Sequence, residues 1–205
     1  MNQKIFEFKN TLNDEQKKFI DNYVLTNNFP WYFQDSSTTD KFQYFSHMLL
    51  PRIENFNENA PEHENYKFFK NILLNSCNLA NLKVKKILRS CLNLTTNCFK
   101  NQYIHGDAHT DYPFPHKLGI IYLNDCKGDT FIFNETHNSF KVYDNTYLID
   151  DFLEKPMTIL KRIKPEKYKV LIFDGEHYHA TGYCDKHERR VICVFNFTTY
   201  DKNET

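Results

Sequence analysis

Phe19, Ile20, Tyr23 and Val24 recur at helical spacing and predict a helix over residues 11–28. Thr11 or Asn13 is placed to cap it, Asp14 and Glu15 suit its first turn, and Asn27-Asn28-Phe29-Pro30 ends it. Trp31-Tyr32-Phe33 then reads as a short extended aromatic run, expected in the core rather than as a base-stacking platform. A polar loop over 34–40, a mixed segment over 42–50 closed by Pro51, and a second polar loop over 55–65 containing Pro61 come next. Residues 66–78 carry Phe68, Phe69, Ile72, Leu73 and Leu74, the stripe of a second helix.

Beyond that point the period shortens. Short β-branched and aromatic runs, separated by turn residues, mark candidate strands at 84–94, 101–105, 118–123, 129–134, 139–143, 158–163, 169–174 and 189–198. Asn124-Asp125-Cys126-Lys127-Gly128-Asp129 is a turn between two of them. Lys83, Lys85, Lys86 and Arg89 are expected on a solvated strand face rather than as a nucleic-acid patch. The order is helices first, then an antiparallel β core: mainly β with N-terminal helices (α+β), as a sandwich, jelly roll or barrel. We expect one compact domain, a helical and loop region over 1–83 packed on a β core over 84–200.

Composition narrows the class. Nineteen Phe, 13 Tyr and a 40% hydrophobic fraction are enough for a core, and 5 Gly with 7 Pro exclude a collagen-like or linker-dominated chain. No apolar run approaches the ~18–20 residues that cross a bilayer, and the opening residues lack the pattern of a signal peptide. The expectation is a soluble cytoplasmic protein, in the host cytoplasm if its source is viral. Lys and Arg number 26, balanced by 26 Asp and Glu. That neutrality counts against a dedicated nucleic-acid binder. Cys77, Cys91, Cys98, Cys126, Cys184 and Cys193 form no Cys-x-x-Cys and are expected as free, mostly buried thiols, Cys184 being the most exposed.

The nine histidines carry the candidate chemistry. His109-Thr110-Asp111 places an imidazole and a carboxylate two residues apart, on one face of an extended segment. Downstream, the apolar run Lys169-Val170-Leu171-Ile172-Phe173-Asp174-Gly175 leads into Glu176-His177-Tyr178-His179. A further apolar run then opens with Arg189-Arg190. Two histidines and a carboxylate on one face of a metal form the facial triad of non-haem Fe(II) oxygenases. A neighbouring arginine offers a bidentate clamp for a carboxylate. His177 and His179 share parity, so strand alternation alone does not choose between them. His105, His116, His137 and His187 are expected at the surface, with His105 and His116 close enough to touch a substrate; His47 is expected as a core or pocket histidine.

His109-Thr110-Asp111, a distal histidine in Phe173-Asp174-Gly175-x-x-x-His179, and an arginine about ten residues later resemble the Fe(II)/2-oxoglutarate-dependent dioxygenases. The likeness is to the prolyl 4-hydroxylase-like branch, including its small phage and bacterial members. Tyr122-Leu123-Asn124 resembles that branch's tyrosine-bearing strand. Gly128-Asp129-Thr130-Phe131 resembles its Gly-Gly-x-Leu strand, with Asp129 in place of the second glycine. Lys164-Pro165 also fits, and Pro30-Trp31-Tyr32 resembles the phage-type members more loosely.

The resemblance implies a double-stranded β-helix (jelly roll, cupin-like) that holds Fe(II) through His109, Asp111 and His179. It implies 2-oxoglutarate and O2 as cosubstrates, and a hydroxylase that releases succinate and CO2. The far carboxylate of 2-oxoglutarate would be held by Arg190 or Arg189, with Tyr122 donating a hydrogen bond. Arg190 shares a strand face with Ile192, Val194 and Asn196, whereas Arg189 shares an all-apolar face, so Arg190 is the preferred clamp. The substrate is expected to be a peptidyl, prolyl-like side chain or a small molecule. The alternatives are a nucleobase-modifying dioxygenase and a non-catalytic jelly-roll module that binds a metal or ligand.

Overall fold

The computed structural model describes residues 4–35, 43–52, 62–96, 104–137, 146–147, 157–185 and 188–200. The candidate strand at 139–143, residues 101–103 of that at 101–105, most of both polar loops, Cys98 and His187 lie outside the described residues.

Strand β1 (Phe6–Phe8) precedes helix α1 (Asp14–Phe19), whose Asn13 side chain and Gln16 form a reciprocal capping box. The helix widens into a π-turn over Ile20–Val24, which buries Ile20 and Val24. Strands β2 (Tyr32–Gln34) and β3 (Tyr44–Leu50) follow, then α2 (Tyr66–Leu79) and the long β4 (Val84–Thr96). The remainder is β5 (Ala108–His109), β6 (Lys117–Tyr122), β7 (Thr130–Thr136), β8 (Thr146–Tyr147), β9 (Ile159–Ile163), β10 (Val170–Asp174), β11 (His177–Thr181) and β12 (Arg189–Thr199). Residues before 84 therefore contribute three strands as well as helices.

The strands form two antiparallel sheets, a jelly roll. The larger runs β1-β10-β6-β12-β4-β3-β2 and the smaller β8-β5-β11-β7-β9. Alternation along β12 divides the interior. Val191, Cys193, Phe195 and Phe197 pack with Ile20, Phe69, Ile72 and Leu73 under the helices. Ile192 faces the other way, into a second cluster with Leu118, Ile120, Ile132 and Phe173. Burying both faces of this strand explains its near-continuous apolar sequence. Gly119 lets α2 approach: a Cβ there would lie 2.8 Å from Leu73 Cδ1.

Several expectations need correction. Trp31 packs on the core, but Tyr32 and Phe33 are 60% and 53% exposed, because β2 is the edge strand of the large sheet. Cys184 is buried, its thiol hydrogen-bonded to that of Cys126. The five described cysteines are free and buried, as expected. His47 is the buried pocket histidine anticipated, with Nδ1 2.9 Å from the Pro30 carbonyl. His105 and His116 are not surface residues: both are buried, and His105 packs on the rings of Phe131 and Phe133.

Candidate active site

Pairing of β5 with β11 sets His109 opposite His179, with ring centroids 4.7 Å apart. Asp111 follows two residues beyond His109, and its Oδ2 lies 3.7 Å from His179 Nε2. One ligand atom from each of His109, Asp111 and His179 falls within 4.8 Å of the others. His109 Nδ1 lies 3.2 Å from the Asp107 carbonyl and His179 Nδ1 3.1 Å from the His177 carbonyl. An Nδ1–H that donates to a carbonyl leaves the Nε2 lone pair for a metal.

His177 turns elsewhere. The β11–β7 register shifts between His177 and His179, and His177 Nδ1 lies 2.7 Å from the Phe133 carbonyl. A bulge therefore separates two histidines that ideal alternation would put on one face.

Burial alone would raise the Asp111 pKa. The imidazoles of His179 and His109, the Arg89 guanidinium and a 2.7 Å hydrogen bond from Asn196 Nδ2 instead hold it well below the usual carboxylate range. Burial, and then His109, push His179 down to about 4 against the opposing pull of Asp111. Near neutral pH Asp111 is thus ionised and His179 neutral, the forms a divalent cation binds.

These groups open on a cavity of ≈ 270 Å³ between the sheets. Arg190 lines it, buried, with Nη2 donating to Thr130 Oγ1 at 2.8 Å. Its Nε finds no hydrogen-bond partner among the described residues, and neither does the hydroxyl of Thr95, its cross-strand neighbour. A buried donor without a partner is costly, and a carboxylate would satisfy it. The residues thus fit both a divalent metal and a carboxylate cosubstrate.

Arg189 points away, donating to the Leu25 carbonyl at 3.0 Å. Tyr122 is fully buried and its hydroxyl lies 2.7 Å from Thr130 Oγ1, so it is linked to the Arg190 guanidinium through that threonine.

Sequence reasoning did not assign Arg52, Arg89, Thr95 or Thr130 to this cavity. Arg89 is a correction. It was expected on a solvated face with Lys83, Lys85 and Lys86, yet it lines the cavity, 3.9 Å from Asp111 Oδ1. Asn196 was visible in sequence as the polar residue on the Arg190 face. For Thr130 and Thr95 the sequence carried no signal.

No protein-family model and no curated protein matches the chain. Solved structures do. The chain is similar to a 2OG-Fe(II) oxygenase family oxidoreductase from Burkholderia pseudomallei, at 11% identity over 95% of this chain and 84% of that one, with a TM-score of 0.64. It is also similar to the non-heme α-ketoglutarate-dependent epimerase SnoN from nogalamycin biosynthesis, at 11% identity over 96% and 78% of the two chains, with a TM-score of 0.62. HygX from Streptomyces hygroscopicus, solved with nickel and 2-oxoglutarate bound, matches at 11% identity over 96% and 83%, with a TM-score of 0.55. At this level of identity the likeness is one of architecture: the chain has the fold of the 2OG-Fe(II) oxygenases.

Proposed function

We propose that the protein is an Fe(II)- and 2-oxoglutarate-dependent oxygenase, most simply a hydroxylase of a small-molecule or peptidyl substrate. One observation carries this reading. A His-Asp-His set, whose two histidines each turn Nδ1 to a carbonyl, shares a cavity with a buried arginine whose Nε lacks a partner among the described residues.

In this reading His109, Asp111 and His179 hold the metal on one side, leaving its other positions open. When bound, iron with 2-oxoglutarate supplies the oxidising chemistry, consuming O2 and releasing succinate and CO2. Asn196 orients Asp111, and the Asp107 and His177 carbonyls orient the two imidazoles. Arg190 pairs with the far carboxylate of 2-oxoglutarate. Thr130 accepts from Arg190 and is positioned by Tyr122. Leu118, Ile120, Ile192 and Val194 give the cavity an apolar wall that keeps water from the reacting centre. Among the described residues, no helix is long and apolar enough to cross a membrane.

The test is anaerobic addition of Fe(II) and then 2-oxoglutarate to metal-free protein. A visible charge-transfer band is expected, and admission of air should yield succinate. A module that binds metal without oxidising anything would give neither.

A further inference from the structure

Arg190 is not the cavity's only arginine. Arg52, just beyond β3, and Arg89, on β4, line the same space. Arg52 is anchored, with Nη1 donating to the Asp111 main-chain carbonyl at 3.1 Å and its guanidinium 4.5 Å from the centre of the Tyr112 ring. Both guanidinium groups approach Asp111 Oδ1 only to 3.9 Å, beyond hydrogen-bonding distance. The Asp111 carboxylate also accepts from Asn196 and faces His179, so it meets each arginine as a loose ion pair without a hydrogen bond. Arg89 is largely buried and makes no hydrogen bond among the described residues.

The two cationic regions are separate. On the β12–β4 ladder Arg190 lies opposite Thr95, and Asn196 lies opposite Arg89. Six residues along a strand span roughly 20 Å at ~3.3 Å each, so Arg89 and Arg190 enter the cavity from opposite ends of its wall. The charge is also unequal. Among the described residues, Arg52, Arg89 and Arg190 line the cavity against two carboxylates, Asp107 and Asp111. A divalent metal and doubly charged 2-oxoglutarate add nothing net, so one positive charge is left over in a confined space.

Resting on the oxygenase reading above, we propose that Arg52 and Arg89 form the recognition site for the primary substrate, and that this substrate carries a carboxylate. Two guanidinium forks beside the metal ligands suit a planar oxyanion and hold the rest of the molecule over the open metal positions. Tyr44, which lines the same end, adds a hydroxyl donor. A neutral substrate would leave the largely buried Arg89 fork with only its loose ion pair to Asp111, which disfavours it.

The probes are the common L-amino acids and their N-acetyl derivatives, each as free acid and as primary amide. They are titrated calorimetrically into anaerobic protein loaded with Fe(II) and 2-oxoglutarate. At least one acid should bind, on the order of 10- to 100-fold more tightly than its amide. Arg89→Gln and Arg52→Gln should each erase most of that preference, and Arg89→Lys should retain part of it. The 2-oxoglutarate concentration that half-develops the charge-transfer band should not move in any of the three. Absence of binding by every acid, equal binding of acid and amide, or an intact preference in both Gln variants overturns the proposal. A Gln variant that weakens 2-oxoglutarate instead assigns the pair to the cosubstrate and also overturns it. If wild-type protein develops no charge-transfer band, the oxygenase reading fails. The acid-to-amide comparison on metal-free protein still decides the role of the arginine pair.

Discussion

Asn196 Nδ2 donates to Asp111 Oδ2 at 2.7 Å, tying the strand that carries Arg190 to the carboxylate beside the two histidines. The same oxygen lies 3.7 Å from His179 Nε2, so this bond helps set the bite of the three-residue cluster. Asn196→Ala removes the donor without touching a proposed ligand. It should weaken Fe(II) or Co(II) affinity by roughly 10- to 100-fold, the usual consequence of losing a partner that orients a ligand. Metal titration of folded, metal-free variant checks this, and unchanged affinity would sink the idea.

His109→Ala, Asp111→Ala and His179→Ala should each abolish metal-dependent succinate formation, because the proposed site has only three protein ligands. Each variant should keep its circular dichroism spectrum. His177→Ala should retain metal binding, since that ring is turned to the Phe133 carbonyl. A dead His177→Ala beside an active His179→Ala would reverse the assignment.

Arg190→Ala should raise the 2-oxoglutarate requirement about 100-fold or more, from the ~3–5 kcal/mol lost when one partner of a buried pair is removed. Arg189→Ala should be mild, because that side chain reaches the Leu25 carbonyl rather than the cavity. Thr130→Val should cost more than Tyr122→Phe. The threonine contacts Arg190 directly, while the tyrosine acts through it. Charge-transfer titration of the four variants ranks them, and the opposite order of Arg189 and Arg190 would overturn the clamp.

Much of this arrangement was legible in the sequence. The two faces of β12 differ as its sequence alternates, and the strands β6, β7, β9 and β10 stand where their residues placed them. Strand β11 was harder to read, because His177 and His179 flank Tyr178, which packs among Phe131, Phe133 and Met157, so the run lacks an apolar signature. Three-residue β1 and two-residue β5 are too short to show a period. Arg89 was misplaced for a different reason. The start of β4 is solvated around Lys85 and Lys86, while its later half runs inside the sandwich, so burial changes along a single strand. Parity alone does not report that gradient.

Acid should destabilise the fold through its buried histidines. Burial lowers the pKa of His47, His105 and His116 below the ordinary value of 6.5, and it pushes His179 down to about 4. In the unfolded chain all four regain values near 6.5. Between about pH 6.5 and 4 the unfolded state therefore binds more protons than the folded one, and stability must fall as pH falls. Each group contributes up to about 1.4 kcal/mol per pH unit within its own window. The lowered carboxylates Glu7, Asp21 and Glu166 act only further down, because their ordinary values are 4.5, 3.8 and 4.5. Metal-free protein should accordingly show a melting temperature that is flat from pH 8 to 7 and declines steadily from 6.5 to 5. His105→Phe, which keeps a ring against Phe131 and Phe133, should flatten part of that decline. A melting temperature constant across pH 7 to 5 would show that these histidines titrate normally in the folded state.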